Sequence, residues 1–333
     1  MRSASLSVAL AALLASPNLS WSAEPASACA ACNEGSCATC ETTAAPKSTI
    51  KKSGSWLIEE TDNFCICRPV GYKMKDGLAA SFEALRSELL GTWLPESAKT
   101  SWQPKCHIVV HSRFESYLKE VGPGGRQTTG SSLIDFDKDQ VVMRRIDLRG
   151  DRADWFAEAL AHELTHVVLA DRFVRIPIPH WADEGMAILA DTAGKRRLHG
   201  KDLASAVARG GEFRLAELLT MENYPHPSRM GTFYGQSASL VEFLTKLGSK
   251  QQLVDFVDQA TVKGYDKALR NVYAIAGVGS LEQQWQRHLR GQPMREAVSK
   301  ASPPAGPSTG DLATSQATSA SSDMPVVVAS AME

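Results

Sequence analysis

Two textures of apolar and polar positions divide the central part of the chain. Residues 56–68 show short apolar stretches broken by acids, as a strand pair gives. Leu78, Phe82, Leu85 and Leu89 then recur at helical spacing. Residues 106–111 (CHIVVH) form a short β-branched strand with His107 and His111 on one face; that places them as neighbours, although strand histidines more often carry no ligand role. After the loop Gly122-Pro123-Gly124-Gly125, residues 131–136 and 140–147 read as a hairpin. Asp151 is the expected N-cap of a helix running to about Ala170, with Trp155, Leu160, Leu164 and Val168 on its apolar side. Beyond Pro179 the pattern is helical over 181–191, 215–221, 233–247, 253–260, 265–273 and 281–289. The expectation is an α+β fold, with a mixed N-terminal half and an all-helical C-terminal half.

The two ends belong to neither texture. Arg2, the uncharged run from Leu6 to Ala15 and the small triplet Ala26-Ser27-Ala28 have the layout of a secretory signal peptide over residues 1–28, with cleavage after Ala23 or after Ala28. The expected location is therefore outside the cytoplasm: periplasm, cell envelope or medium. Cys29 follows the triplet only faintly as a lipid-bearing cysteine would, because Glu24 and Pro25 part it from the apolar run. Cys29, Cys32, Cys37 and Cys40 make a CxxC-x4-CxxC array in a Cys-rich head and linker over 29–54. Four thiols so spaced can close two small disulfide loops, the reading that export favours, or hold a zinc ion. Residues 293–333, rich in Ala, Ser, Pro, Thr and Gly and lacking aromatics, are expected to be a disordered tail. The domain proper is then 55–292.

Composition narrows the function classes. Among 333 residues, 43% are hydrophobic and the formal net charge is −1, so a sizeable core is affordable and the basic excess of a nucleic-acid binder is lacking. No apolar run after Leu14 approaches the ~18 residues of a membrane span, so no integral membrane segment is expected beyond the leader. Cys65, Cys67 and Cys106 fall inside the domain, where Cys106 could pair with either of the others or all three could serve as small hydrophobes.

The candidate chemistry lies in His162-Glu163-Leu164-Thr165-His166. At 3.6 residues per turn, positions i and i+4 share a helix face, so both imidazoles can reach one metal ion while Glu163 stands beside it. The motif sits among Phe156, Leu160, Ala161, Val167, Val168 and Leu169, where unpaired polar side chains would be costly and a metal removes the cost. An open zinc site needs a third protein ligand. Trp181-Ala182-Asp183-Glu184-Gly185-Met186-Ala187 supplies a glutamate at the start of another helical stretch.

HExxH followed at this distance by W-x-[N/D]-E-G-x-A resembles the gluzincin zinc peptidases, the superfamily of thermolysin and the aminopeptidase N type. It is most similar to the bacterial peptidase-MA-like domain, through the phrases at residues 162–169 and 179–187. The resemblance implies a zincin-like fold, His162, His166 and Glu184 as ligands of Zn2+, and Glu163 as general base toward a metal-activated water. It also makes Asp183 and Asp191 candidates to hold the outer nitrogens of the ligand histidines. A tyrosine downstream of the third ligand serves aminopeptidase-type relatives as oxyanion donor, and Tyr234 is the one best placed along the chain, ahead of His180 and His226.

Departures bear on specificity. The G-x-M-E-N signature that binds a substrate amino terminus is absent before the HExxH helix, and Met221-Glu222-Asn223 lies after it without the glycine. Ile188 stands where a thermolysin-style acid would be. The expected activity is thus an exported zinc metallopeptidase, an endopeptidase rather than an aminopeptidase, acting on peptide or cell-envelope protein that adds as a strand near residues 140–147. The other class is a non-catalytic envelope scaffold that keeps the fold.

Overall fold

The computed structural model describes residues 48–152 and 154–291. The expected leader, Cys29, Cys32, Cys37, Cys40 and the tail 293–333 lie outside the described residues.

Six strands form one sheet in the order β1-β2-β3-β4-β6-β5. They are β1 (Thr49–Ser53), β2 (Trp56–Glu60), β3 (Phe64–Pro69), β4 (Cys106–His111), β5 (Gly130–Asp137) and β6 (Gln140–Arg149). The pairs β3/β4 and β4/β6 are parallel, and the others are antiparallel. Two expectations are corrected here. The linker drawn to residue 54 ends earlier, because Thr49–Ser53 is an edge strand. All five of its residues are exposed, so no apolar alternation announces it; backbone pairing with β2 and the Lys51–Glu60 ion pair hold it. The segment 140–147 is no edge, since β6 is bonded on both sides, and the free edge beside it is β5.

Pleating sends Phe64, Ile66, Cys106, Ile108, Val110, Ile146 and Leu148 to one face, where each is fully buried. Against that face pack α1 (Leu78–Trp93) and α3 (Ala161–Leu169). The buried stripe of α1 is Ala79, Phe82, Arg86, Leu89, Leu90 and Trp93, rotated from the expected one, with Leu78 and Leu85 only partly buried. Arg86 takes a core position because its guanidinium donates to the Thr100 carbonyl and stacks 4.4 Å from the Trp102 ring. The opposite face carries α2 (Phe114–Val121), across β4 and β6. Cys106 is buried in the core while Cys65 and Cys67 point to the other face, so no disulfide joins them and all three are free.

The second half consists of α4 (His180–Leu189), α5 (Ala193–Ala208), α6 (Leu215–Leu219), α7 (Met230–Leu247), α8 (Lys250–Lys263), α9 (Tyr265–Tyr273) and α10 (Val278–Leu289). Helix α7 packs against both α4 and α5. Gly185 permits the first contact: a Cβ there would stand 2.6 Å from the Ser237 carbonyl oxygen and 2.5 Å from a Val241 methyl. The glycine after Glu184 is therefore a packing requirement that sets the height of α4. The mixed sheet followed by helices is an α+β fold, and among the described residues no helix is long and apolar enough to cross a membrane.

Candidate metal centre

Helix α3 carries His162, Glu163 and His166, and every residue from His162 to Leu169 is buried. It does not begin at Asp151, whose carboxylate is held by Arg149 at 2.7 Å. A π-helical turn, Phe156–Leu160, leads into it instead, and Lys195 Nζ donates to the Glu158 carbonyl in that turn at 2.8 Å. The wide turn shifts the helix phase just before the motif, an irregularity common at functional sites.

About one turn into the next helix, Glu184 reaches the same point. One ligand atom each from His162, His166 and Glu184 lies within 4.8 Å of the others, and His162 Nε2 is 3.6 Å from Glu184 Oε2. Ligands of a tetrahedral zinc with bonds of about 2.0–2.1 Å stand ~3.3 Å apart, so the spacing fits such an ion. Two of the three outer atoms are hydrogen-bonded, and the third faces a carboxylate without a hydrogen bond. His166 Nδ1 bonds Asp183 Oδ1 at 2.8 Å, His162 Nδ1 faces Asp191 Oδ2 at 3.4 Å, and the Tyr224 hydroxyl donates to Glu184 Oε1 at 2.6 Å. The inner His166 Nε2 and Glu184 Oε2 are buried without a hydrogen-bond partner. Buried polar atoms are rarely left so, and a cation between them is the partner their geometry calls for.

Charge agrees with that reading. Burial alone would lower the imidazole pKa values, but Asp191 and then Glu184 lift His162 to about 10, and Asp183 and Glu184 lift His166. Burial also opposes ionisation of Asp191 and Glu184, yet His162 and Lys195 hold Asp191 down at about 2, and the two histidines hold Glu184 low. Without a cation, a proton takes its place on His162, whose value stands well above neutral. Glu163 is pushed up, chiefly by its burial. A cavity of about 10 Å3, the room one water molecule needs, lies between Glu163, His162, Gly130 and Lys195. Gly130, the first residue of β5, makes the approach possible, since a Cβ there would stand 2.8 Å from Glu163 Cγ.

The family model described as Peptidase MA superfamily matches residues 129–291. This segment of the chain belongs to the peptidase MA superfamily. No curated protein matches the chain. The peptidase MA segment includes the β5–β6 hairpin and every helix from α3 onward, hence all the residues around the centre, and leaves out β1 to β4 with α1 and α2.

Of the remaining candidates in the peptidase MA segment, Tyr234 is fully buried in α7 with its ring 5.7 Å from His199, and burial with the nearby Glu184 and Glu163 raises its pKa. His180 bonds the Glu222 carbonyl and lies against Tyr224, while His226 caps a short 3-10 turn. Three contributors escaped the sequence reading. Tyr224 sits in a loop without periodicity, Lys195 opens a helix with little apolar content, and Gly130 looks like any strand-end glycine. Of these only Tyr224 carried a signal, as a tyrosine downstream of the third ligand.

Proposed function

We propose that this protein is an exported zinc-dependent endopeptidase. The single observation that carries the reading is the convergence of three buried side chains, His166 and Glu184 hydrogen-bonded from outside, whose inner atoms turn to one point. His162, His166 and Glu184 would hold the ion. When bound, zinc supplies Lewis acidity toward a carbonyl and toward water. Glu163 takes the proton of the attacking water from the small cavity beside it, its raised pKa bringing it nearer the working pH, and passes that proton to the departing nitrogen. Asp183 and Asp191 fix the rings in orientation and tautomer. An extended peptide would pair with the free edge of β5, which starts beside Glu163. Export rests on the leader-like residues 1–28, and envelope protein or peptide is the corresponding substrate class.

One observation favours a second reading, a non-catalytic envelope scaffold that keeps the metal. The ligand side chains and Glu163 are at most 5% exposed, and the cavity beside them admits little more than water. Metal analysis of the purified full chain and a peptide-library digest with wild type and Glu163→Gln side by side decide between the two. The enzyme reading expects about one zinc per chain in both proteins and cleavage in wild type alone. Zinc in both with no cleavage in either selects the scaffold. No zinc after reconstitution at neutral pH overturns both.

A further inference from the structure

The face of the sheet turned away from the metal centre holds a second chain of polar side chains. His111, the last residue of β4, is 1% exposed. Its Nε2 lies 2.6 Å from Asp147 Oδ1 on β6, and its Nδ1 lies 2.8 Å from the Ser116 hydroxyl in the first turn of α2. Arg145, two residues from Asp147 along β6, grips both Asp147 oxygens at 2.8 Å. A guanidinium can only donate, so Asp147 accepts here, and it accepts again from His111 Nε2–H. That fixes the tautomer. His111 Nδ1 is left as the acceptor, and the Ser116 O–H donates to it.

The order is therefore hydroxyl, imidazole, carboxylate, the arrangement that turns a serine into a nucleophile. Ser116 and His111 also line a cavity of about 320 Å3, within the size range of small-ligand sites. Trp56, Ile58 and Val109 give it apolar walls. Tyr117 N–H, bonded to the Arg113 carbonyl, opens the hydrogen-bond ladder of α2, whose N-cap lacks a side-chain bond. The amides of Phe114, Glu115 and Ser116 thus precede the helical ladder, next to the hydroxyl. His111 and Ser116 lie before the segment matched by the peptidase MA family.

We propose that Ser116, His111 and Asp147 form a second, metal-independent nucleophilic site that hydrolyses short-chain carboxylic esters. Ser116 Oγ bonds to the ester carbonyl carbon as its proton passes to His111 Nδ1. The ester C–O bond breaks, and the alcohol leaves with that proton. Water then gives a proton to His111 and its hydroxyl to the acyl carbon, and Ser116 Oγ departs and takes the proton back. Asp147 holds the imidazole in orientation throughout, and Arg145 holds Asp147. Cys67, on the cavity wall, is no competing nucleophile, because burial and the adjacent Cys65 push its thiol up to about 11.

The test uses the full chain in EDTA, with a fluorophosphonate probe and p-nitrophenyl butyrate. The expected results are a covalent adduct on Ser116 in peptide mass spectrometry, a burst of about one equivalent of p-nitrophenol, and ester hydrolysis lowered about 10²-fold or more in Ser116→Ala. Asp147→Asn, which misorients the ring but leaves the hydroxyl, should slow labelling comparably. Circular dichroism and thermal melting of both variants establish that they are folded. Absence of the Ser116 adduct from the wild type, or equal ester hydrolysis in wild type and folded Ser116→Ala, overturns the proposal.

Discussion

His166 Nδ1 and Asp183 Oδ1 are 2.8 Å apart although 17 residues separate them in the sequence. The acid immediately before the third candidate ligand thus holds the second one, so a single turn of α4 brings in both a ligand and an orienting carboxylate. Asp191, just beyond the C-cap of α4, faces His162 Nδ1 at 3.4 Å without a hydrogen bond, and Lys195 Nζ holds it at 2.8 Å. Asp183→Asn or Asp191→Asn should each weaken metal affinity about 10–100-fold. Competition against a chromophoric chelator measures this directly. Affinity equal to wild type in both variants would mean that neither carboxylate orients its ring.

What was legible before the structure follows from which features have periodicity. The HExxH pair and the W-A-D-E-G phrase are local patterns, so His162, His166 and Glu184 could be named in advance, and the long apolar helices α7 and α8 could be outlined. Strand β1 could not, being exposed on both faces and held by its partner's backbone. Helix α5 escaped because it buries only His199, Leu203 and Ala206. The hairpin was visible, but which of its strands becomes an edge depends on β4 pairing with β6 across intervening α2 and β5, a nonlocal fact that alternation in β6 cannot encode.

Gly130→Ala tests the wall behind Glu163, the proposed general base. The added Cβ would lie 2.8 Å from Glu163 Cγ and 3.0 Å from Ala159 Cβ, so the carboxylate must move while the metal ligands need not. Peptidase activity should fall about 10²-fold, the cost of displacing a reacting group by roughly 1 Å, with zinc content unchanged. Metal analysis and the peptide digest on the same preparation check it. Full activity in this variant would show that Glu163 need not stay where it is.

Two tyrosines stand near Glu184, and their phenylalanine variants should separate their roles. Tyr224 donates to Glu184 Oε1 at 2.6 Å, so Tyr224→Phe should weaken zinc binding about tenfold. Tyr234 is the donor proposed for the developing oxyanion, and Tyr234→Phe should leave zinc affinity near wild type while lowering kcat about 10²-fold. Chelator competition and steady-state kinetics on both variants settle the assignment. The reverse pattern would exchange the roles.

The charge arrangement predicts how the metal-free protein responds to alkali. His162 has an unfolded value near 6.5 and a folded value raised to about 10, and His166 and Glu163 are raised as well. A group with a raised folded pKa contributes stability that is complete below its unfolded value and is lost as pH climbs through the folded one. In the chelated chain that contribution should therefore diminish from pH 6.5 upward. The opposing shifts, Asp191 lowered to about 2 and His199 lowered to about 4 by burial, are complete on the acid side of this window, and Cys67 enters only above its ordinary value of 9.0. Between pH 6.5 and 9 the decline belongs to the imidazoles. Urea midpoints across this range should drop in EDTA, drop less in Asp191→Asn because the main cause of the His162 shift is gone, and hold level with saturating zinc, whose ligands must be unprotonated rings. A flat EDTA series would contradict the charge balance assigned to the centre, because rings that share a buried cluster of carboxylates cannot lose their protons without cost to the fold.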